Sequence, residues 1–203
     1  MRKKKTIILI LFSLICGLAA CSNGNKAKVQ SVSNGDQYQK VGSFSYIDQD
    51  GNSYSQADLD KKVWLANFIF ANCETVCPPM TAHMAKIQKL LKDNGVKAQI
   101  VSFSVDPKRD TPQKLKAFGM KFDANFSNWH FLTGYHQKDI ETFARKSFNT
   151  AVSANPTSDQ FIHGTSFFLI NQKGQVIKRY DGVQNVPYKK IVNDIRDLNK
   201  KER

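Results

Sequence analysis

Two cysteines spaced four residues apart carry the clearest chemical signal in this chain. Cys73 and Cys77 lie in the segment FANCETVCPP at positions 70–79, directly after an apolar run and before two prolines. In helical or near-helical backbone, side chains at this spacing point the same way, so the two sulfurs would be close enough to bind one ion or to oxidise to each other. A helix N-terminus here would also favour thiolates. The spacing therefore predicts metal binding or thiol–disulfide chemistry.

A purely stabilising disulfide between Cys73 and Cys77 is the alternative. Such a bridge would close a loop of five residues. Because the stabilisation gained from loop closure grows with loop length, this bridge would contribute little to the stability of a whole domain. This argument favours a functional pair over a structural one.

The segments around the cysteines alternate between extended and helical patterns. The run at residues 63–70 is almost entirely apolar, as expected of a buried central strand, and apolar residues at helical spacing follow it. The order of elements predicts an α/β fold with a mixed central sheet flanked by helices. The other predicted elements are an opening hairpin from residue 44 with an Asp-Gly turn at 50–51, strands at 98–105, 130–133, 165–170 and 175–180, a helix opening at 111–112, and helices at 139–148 and 186–198.

Four motifs in this order resemble the Sco/SenC family. They are Cys73-x-x-x-Cys77-Pro78, the segment VDPKRDTP at 105–112, the segment WHFLTG at 129–134, and His163 shortly before FFLI at 167–170. Proteins of that family are copper-handling assembly factors of cytochrome c oxidase. The resemblance implies a thioredoxin-like fold with an N-terminal hairpin extension. It also implies that Cys73, Cys77 and His163 are the copper ligands.

A geometric argument supports the third ligand. In a thioredoxin-like fold the strand that starts at Thr165 lies beside the central strand. The loop before it then faces the start of the cysteine-bearing helix, and Gly164 permits close backbone approach there. A loop histidine that only contacts water is the alternative. Two thiolates select Cu(I), and the imidazole also suits Cu(II), whereas a structural zinc site needs a fourth protein ligand.

Several other polar or sulfur-bearing residues near these motifs have simpler interpretations. Asp106 either belongs to a turn that feeds a capped helix or orients a copper ligand through an outer-sphere contact. Two methionines, Met80 and Met84, lie on the apolar helix face and are predicted to belong to the core. Three histidines are predicted to have solvated, surface or capping roles: His83, His130 and His136.

The N-terminus has the pattern of a targeting segment. Basic residues at 2–5 precede an uncharged run at 6–20, which is short for a membrane-spanning helix and typical of a secretory signal. Leu18-Ala19-Ala20-Cys21 resembles a bacterial lipoprotein signal. We therefore expect a signal peptide at 1–20, lipidation of Cys21, a flexible tether at 21–40 and the copper-binding domain at 41–203. An uncleaved anchor helix is the alternative. The predicted location is the extracytoplasmic face of the cell membrane.

Composition narrows the possible classes of protein. Apolar residues make up 41% and charged residues 23% of the chain, which excludes a disordered chain and a protein with several membrane spans. The formal charge of +13 falls to +9 once the four basic residues of the signal are removed. This moderate charge suits an anionic membrane surface or an acidic protein partner, and no nucleic-acid partner is expected.

Three functions are compatible with the cysteine pair. The first is a chaperone that carries one copper ion per monomer, as Cu(I) or Cu(II), to the binuclear copper centre of cytochrome c oxidase subunit II. The alternative is a thiol–disulfide oxidoreductase that reduces the cysteines of that centre and is itself reduced by an extracytoplasmic thiol reductase. A peroxidase is disfavoured because Glu74 occupies the position where a hydroxyl donor would bind peroxide.

Overall fold

The computed structural model describes residues 29–31 and 38–200. Its strands are β1 (Val29–Ser31), β2 (Gln39–Lys40), β3 (Ser45–Ile47), β4 (Ser53–Ser55), β5 (Trp64–Ile69), β6 (Gln99–Ser104), β7 (Trp129–Leu132), β8 (Val152–Ala154), β9 (Phe161–His163), β10 (Ser166–Ile170) and β11 (Gln175–Asp181). Its α-helices are α1 (Cys77–Asp93), α2 (Pro112–Met120), α3 (Gln137–Phe148) and α4 (Tyr188–Lys200), and a short 3-10 helix spans Gln56–Leu59.

A mixed sheet forms the centre of the domain, with the strand order β1-β11-β10-β5-β6-β7. Strand β5 runs parallel to β6 and antiparallel to β10, and β6 runs parallel to β7. Every residue of β5 is buried, as its almost entirely apolar sequence predicts for a strand covered on both faces. This arrangement confirms the predicted mixed sheet and thioredoxin-like fold. Because β5 is an inner strand, its C-terminal end lies between the ends of its neighbours β10 and β6.

The predicted opening hairpin is also present. Strands β3 and β4 pair with each other around a turn in which Gly51 has a φ of +82°, a conformation that glycine adopts without strain. A bridge between Ile47 and Thr133 joins this hairpin to the end of β7. The hairpin therefore extends the domain on the side of the sheet edge formed by β7.

Local sequence explains where the helices begin and end. Helix α1 begins at Cys77 with Pro78 and Pro79 in its first turn, and Gly95 follows its C-terminal cap with a φ of +62°. Thr111 caps α2 by accepting a hydrogen bond from the backbone N–H of Lys114. Among residues 29–31 and 38–200, no helix combines the length and the apolar character needed to cross a bilayer.

Two predictions about the chain outside the central elements need correction. Residues 29–31 and 39–40, within the predicted tether, are strands that pair with β11, so the tether prediction is wrong for these residues. The hairpin formed by β8 and β9 was not predicted, because its two strands have only three residues each and lack a strong apolar alternation. The predicted signal peptide and Cys21 lie outside the described residues.

Candidate metal centre

The two cysteines lie where β5 passes into α1. Cys77 is the first residue of α1, whereas Cys73 lies in the loop before the helix. The backbone N–H of Cys77 donates a hydrogen bond to Cys73 Sγ at 3.3 Å. Both thiols are free, and the cysteine residues are 7% and 0% exposed. The helix N-terminus thus directs a donor at the sulfur of Cys73.

His163 reaches the cysteines from β9, a distant part of the chain. Its Nε2 atom lies 3.3 Å from Cys77 Sγ, although the two residues are 86 positions apart. The histidine is the last residue of β9, not part of a loop as predicted. Strand β10, which follows it, pairs with β5 as the fold argument expected. The three donor atoms of Cys73, Cys77 and His163 all lie within 4.8 Å of one another, so they fit a single metal ion.

Contacts around the imidazole favour one orientation of the ring. Nδ1 lies 3.1 Å from the carbonyl oxygen of Gly164. When Nδ1 carries the proton it donates to that carbonyl, and Nε2 then presents its lone pair to the sulfurs. The ring also meets Phe70 edge-to-face, with the centroids 5.9 Å apart. These contacts orient the ring as a metal ligand requires.

Gly164 has a steric role behind His163. A Cβ atom at this position would collide with Oγ1 of Thr150, at the other end of the β8–β9 hairpin. The absence of a side chain at residue 164 therefore allows the two ends of the hairpin to approach each other. The close neighbour is the side chain of Thr150, whereas the sequence predicted close approach towards the start of the cysteine-bearing helix.

The two thiols differ strongly in their tendency to ionise. The hydrogen bond from the Cys77 side chain is the largest influence on Cys73 and lowers its pKa to about 3. The same hydrogen bond raises the pKa of Cys77 well above its usual value, and burial raises it further. In the metal-free protein one proton is therefore shared by a Cys73 thiolate and a Cys77 thiol.

The loop at 106–110 contains two buried carboxylates, Asp106 and Asp110, and the sequence analysis considered only Asp106. Asp106 is buried, but in the described residues its carboxylate accepts a hydrogen bond from Arg109 and not from His163 or the cysteines. Asp110, which sequence reasoning missed, accepts the backbone N–H of Ala71 at 3.1 Å and the Ser104 hydroxyl at 2.6 Å. Its position before the cap of α2 gave no sign that it holds the end of β5.

The remaining candidates do not join this cluster. Met80 and Met84 are fully buried, which confirms their predicted core role, and His136 caps α3. The solvated role predicted for His83 is wrong, because it is half-buried and hydrogen-bonded to the Tyr188 hydroxyl. The surface or capping role predicted for His130 is also wrong. Its ring stacks on a buried tyrosine with the centroids 4.0 Å apart.

Comparison with known proteins identifies the family. The family model described as SCO1/SenC matches residues 32–200. The chain belongs to the SCO1/SenC family. It is 49% identical over 157 residues to the SCO1 protein homolog of Bacillus subtilis, an alignment that covers 77% of this chain and 81% of the relative.

Solved structures of SCO1/SenC proteins share the fold. A SCO1/SenC family lipoprotein from Bacillus anthracis is 48% identical, with a TM-score of 0.78 over 80% of this chain and 96% of its own. BsSco, described as a member of the Sco family of cytochrome c oxidase assembly proteins, is 48% identical, with a TM-score of 0.75 over 80% and 95%. Arabidopsis thaliana ScoI with copper bound is 25% identical, with a TM-score of 0.65 over 79% and 98%.

Proposed function

We propose that Cys73, Cys77 and His163 bind one copper ion, which this protein carries as cargo. The observation on which the proposal rests is the convergence of two sulfurs and one imidazole nitrogen within 4.8 Å. Thiolate ligands select Cu(I), and the imidazole allows Cu(II) to bind as well. The copper-bound state described for Arabidopsis ScoI supports the choice of metal. Structural zinc is disfavoured because it requires four protein ligands.

The ligand set also suits transfer of the ion. Three protein ligands leave a coordination position at which a ligand from the recipient binds before the donor's ligands leave. Binding of copper to both sulfurs releases the proton shared by Cys73 and Cys77, which couples loading to pH. Because BsSco is described as an oxidase assembly protein, we propose the binuclear copper centre of cytochrome c oxidase subunit II as the recipient.

A lipid anchor would confine this transfer to the membrane surface. The Leu-Ala-Ala-Cys sequence ending at Cys21 supports lipidation, and the Bacillus anthracis relative is described as a lipoprotein. We propose that the domain lies on the extracytoplasmic face of the cell membrane. Two or more acyl chains hold a protein there stably, whereas one does not.

Copper titration of the reduced protein tests the ligand set. One copper ion is expected per monomer, and Cys73→Ser, Cys77→Ser and His163→Ala should each weaken binding. The loss should exceed the 10- to 100-fold typical of removing an outer-sphere partner, because each substitution removes a ligand. His136→Ala is the matched control and should bind copper as the unchanged protein does. Equal affinity of His163→Ala and His136→Ala would contradict the three-ligand site.

A second candidate function uses the same cysteines for reduction. The low pKa of Cys73 and the neighbouring free thiol of Cys77 favour this function. The Cys73 thiolate would attack a disulfide of the oxidase subunit, and Cys77 would then release that subunit's dithiol by forming the Cys73–Cys77 disulfide. A thiol reductase outside the cytoplasm would supply the two electrons that restore the pair. Disulfide reduction that persists in His163→Ala but is lost in Cys73→Ser would identify this function.

A further inference from the structure

His163 is carried by a hairpin that stands apart from the central sheet. Strands β8 and β9 pair with each other, with Val152 opposite His163, and form a separate two-stranded sheet. The position of the imidazole relative to the cysteines therefore depends on contacts between this hairpin, residues 152–163, and the rest of the domain. Several of these contacts are made by the segment between its two strands.

Arg109 makes the central contact with the hairpin. Its Nη1 atom lies 3.2 Å from Asp159 Oδ2, and its Nη2 donates to the backbone carbonyl of Asp159. Asn72, next to Cys73, donates from Nδ2 to the same Asp159 carboxylate at 3.1 Å. The guanidinium also lies over the ring of Phe161, 5.8 Å from its centroid. Asp159 thus joins the hairpin both to the cysteine loop and to the loop of Arg109.

Arg109 is itself fixed to the domain. Its Nε donates to the carboxylate of Asp106, whose side chain is only 3% exposed, and its backbone N–H donates to the carbonyl of Asp106 at 3.1 Å. The planar guanidinium therefore bridges a buried anchor and the hairpin with separate N–H groups. A lysine ammonium has no such fixed fork of donors.

We propose that Arg109 and Asp159 are positioning residues that hold His163 against the cysteines and so control how readily the imidazole leaves the copper ion. This inference rests on the copper ligands proposed above. The Arg109 and Asp159 side chains are 34% and 61% exposed, so their ion pair is weak enough to open during transfer. The contact is therefore suited to regulating ligand release, and it adds little to the stability of the fold.

The rate at which Cu(I) passes to an excess of a competing chelator tests the proposal. Arg109→Gln and Asp159→Asn should each release copper about fivefold faster, the effect expected from losing one partly exposed ion pair. Lys108→Ala is the matched control, because it removes an exposed positive charge from the adjacent position and should leave the rate unchanged. Thermal unfolding of each variant without metal checks that it is folded.

The same measurement in a protein that already carries His163→Ala shows whether Arg109 acts through the imidazole. In His163→Ala the additional Arg109→Gln substitution should not change the release rate. The electron paramagnetic resonance spectrum of the Cu(II) complex of Arg109→Gln should show weaker imidazole coordination, which a purely structural role would not produce. Release at the control rate, or an undiminished Arg109 effect without His163, would overturn the proposal. If His163→Ala itself leaves release and spectrum unchanged, the ligand set has failed, and this inference fails with it.

Discussion

At the scale of single residues, Cys73 and Cys77 are inequivalent although they belong to one motif. Cys73 accepts hydrogen bonds from the Cys77 thiol, which lowers its pKa to about 3, and from the backbone N–H at the start of α1. Cys77 is completely buried and keeps its proton. We therefore expect Cys73 to act as the nucleophile if the pair takes part in thiol exchange, and Cys77 to lose its proton if both sulfurs bind a metal.

The first prediction concerns this shared proton. Cys77→Ala removes the donor that contributes most to the low pKa of Cys73, so that pKa should rise from about 3 towards the usual value of a cysteine. Cys77→Ser keeps a hydroxyl donor and should give a smaller rise. The thiolate absorbance of the reduced, metal-free protein, measured against pH, gives both values. An unchanged titration in Cys77→Ala would contradict proton sharing.

At the scale of elements, the β8–β9 hairpin depends on the small residue at its end. Gly164→Ala should destabilise the protein by about 1–3 kcal/mol, because its Cβ would collide with Oγ1 of Thr150. Adding Thr150→Ala removes that atom and should restore most of the stability. Denaturant unfolding of the single and double variants measures both effects. A double variant no more stable than Gly164→Ala would show that the collision is not the cause.

The carboxyl of Asp110, in the loop between β6 and α2, has a raised pKa. Burial raises the pKa of Asp110 from 3.8 to about 6, so between these values the folded protein holds a proton that the unfolded chain has lost. The contribution of Asp110 to the free energy of unfolding is therefore greatest below about pH 4 and decreases as pH rises through 6.

Asp110→Asn isolates this effect because the amide does not titrate. As pH rises from about 4 to about 6, the free energy of unfolding of the metal-free protein should fall relative to that of Asp110→Asn, by up to about 3 kcal/mol. Urea unfolding at several pH values measures the difference. A difference that stays constant, or grows with pH, would show that the carboxyl is not held protonated by burial.

At the scale of the whole molecule, the sheet brings the N-terminal segment and the metal centre to the same end. Strands β5 and β11 run in the same direction, because each is antiparallel to β10, and Val29 pairs with Tyr180 near the end of β11. Val29 follows Cys21 by eight positions, a length of chain that spans at most about 28 Å when extended. A lipid on Cys21 would therefore keep the candidate copper site close to the membrane surface.

Lipidation itself is tested with the two cysteines of the N-terminal segment. In bacteria expressing the full chain, Cys21→Ser should abolish incorporation of a labelled fatty acid, because the acylated thiol is absent. Cys16→Ser is the control and should be labelled normally, since Cys16 lies within the predicted signal. Loss of label in both variants, or in neither, would contradict lipidation at Cys21.

The local sequence determined the elements and the chemistry of the cysteine pair. The apolar run of β5, the prolines at the start of α1 and the glycine after it are signals within a few residues, so strand, helix and boundary followed directly. The motif pattern also indicated the family and the third donor, His163. The short strands of the β8–β9 hairpin and of the N-terminal segment lacked such signals.

Only the tertiary structure decided how distant residues share the site. The pairing of β5 with β10 brings His163 to Cys77, and the hairpin brings Asp159 to Arg109, 50 residues away. The unequal acidity of the thiols likewise follows from hydrogen bonds and burial. These properties depend on contacts between segments that are remote in sequence. Periodicity and local spacing relate only residues that are neighbours along the chain, so they do not encode such contacts.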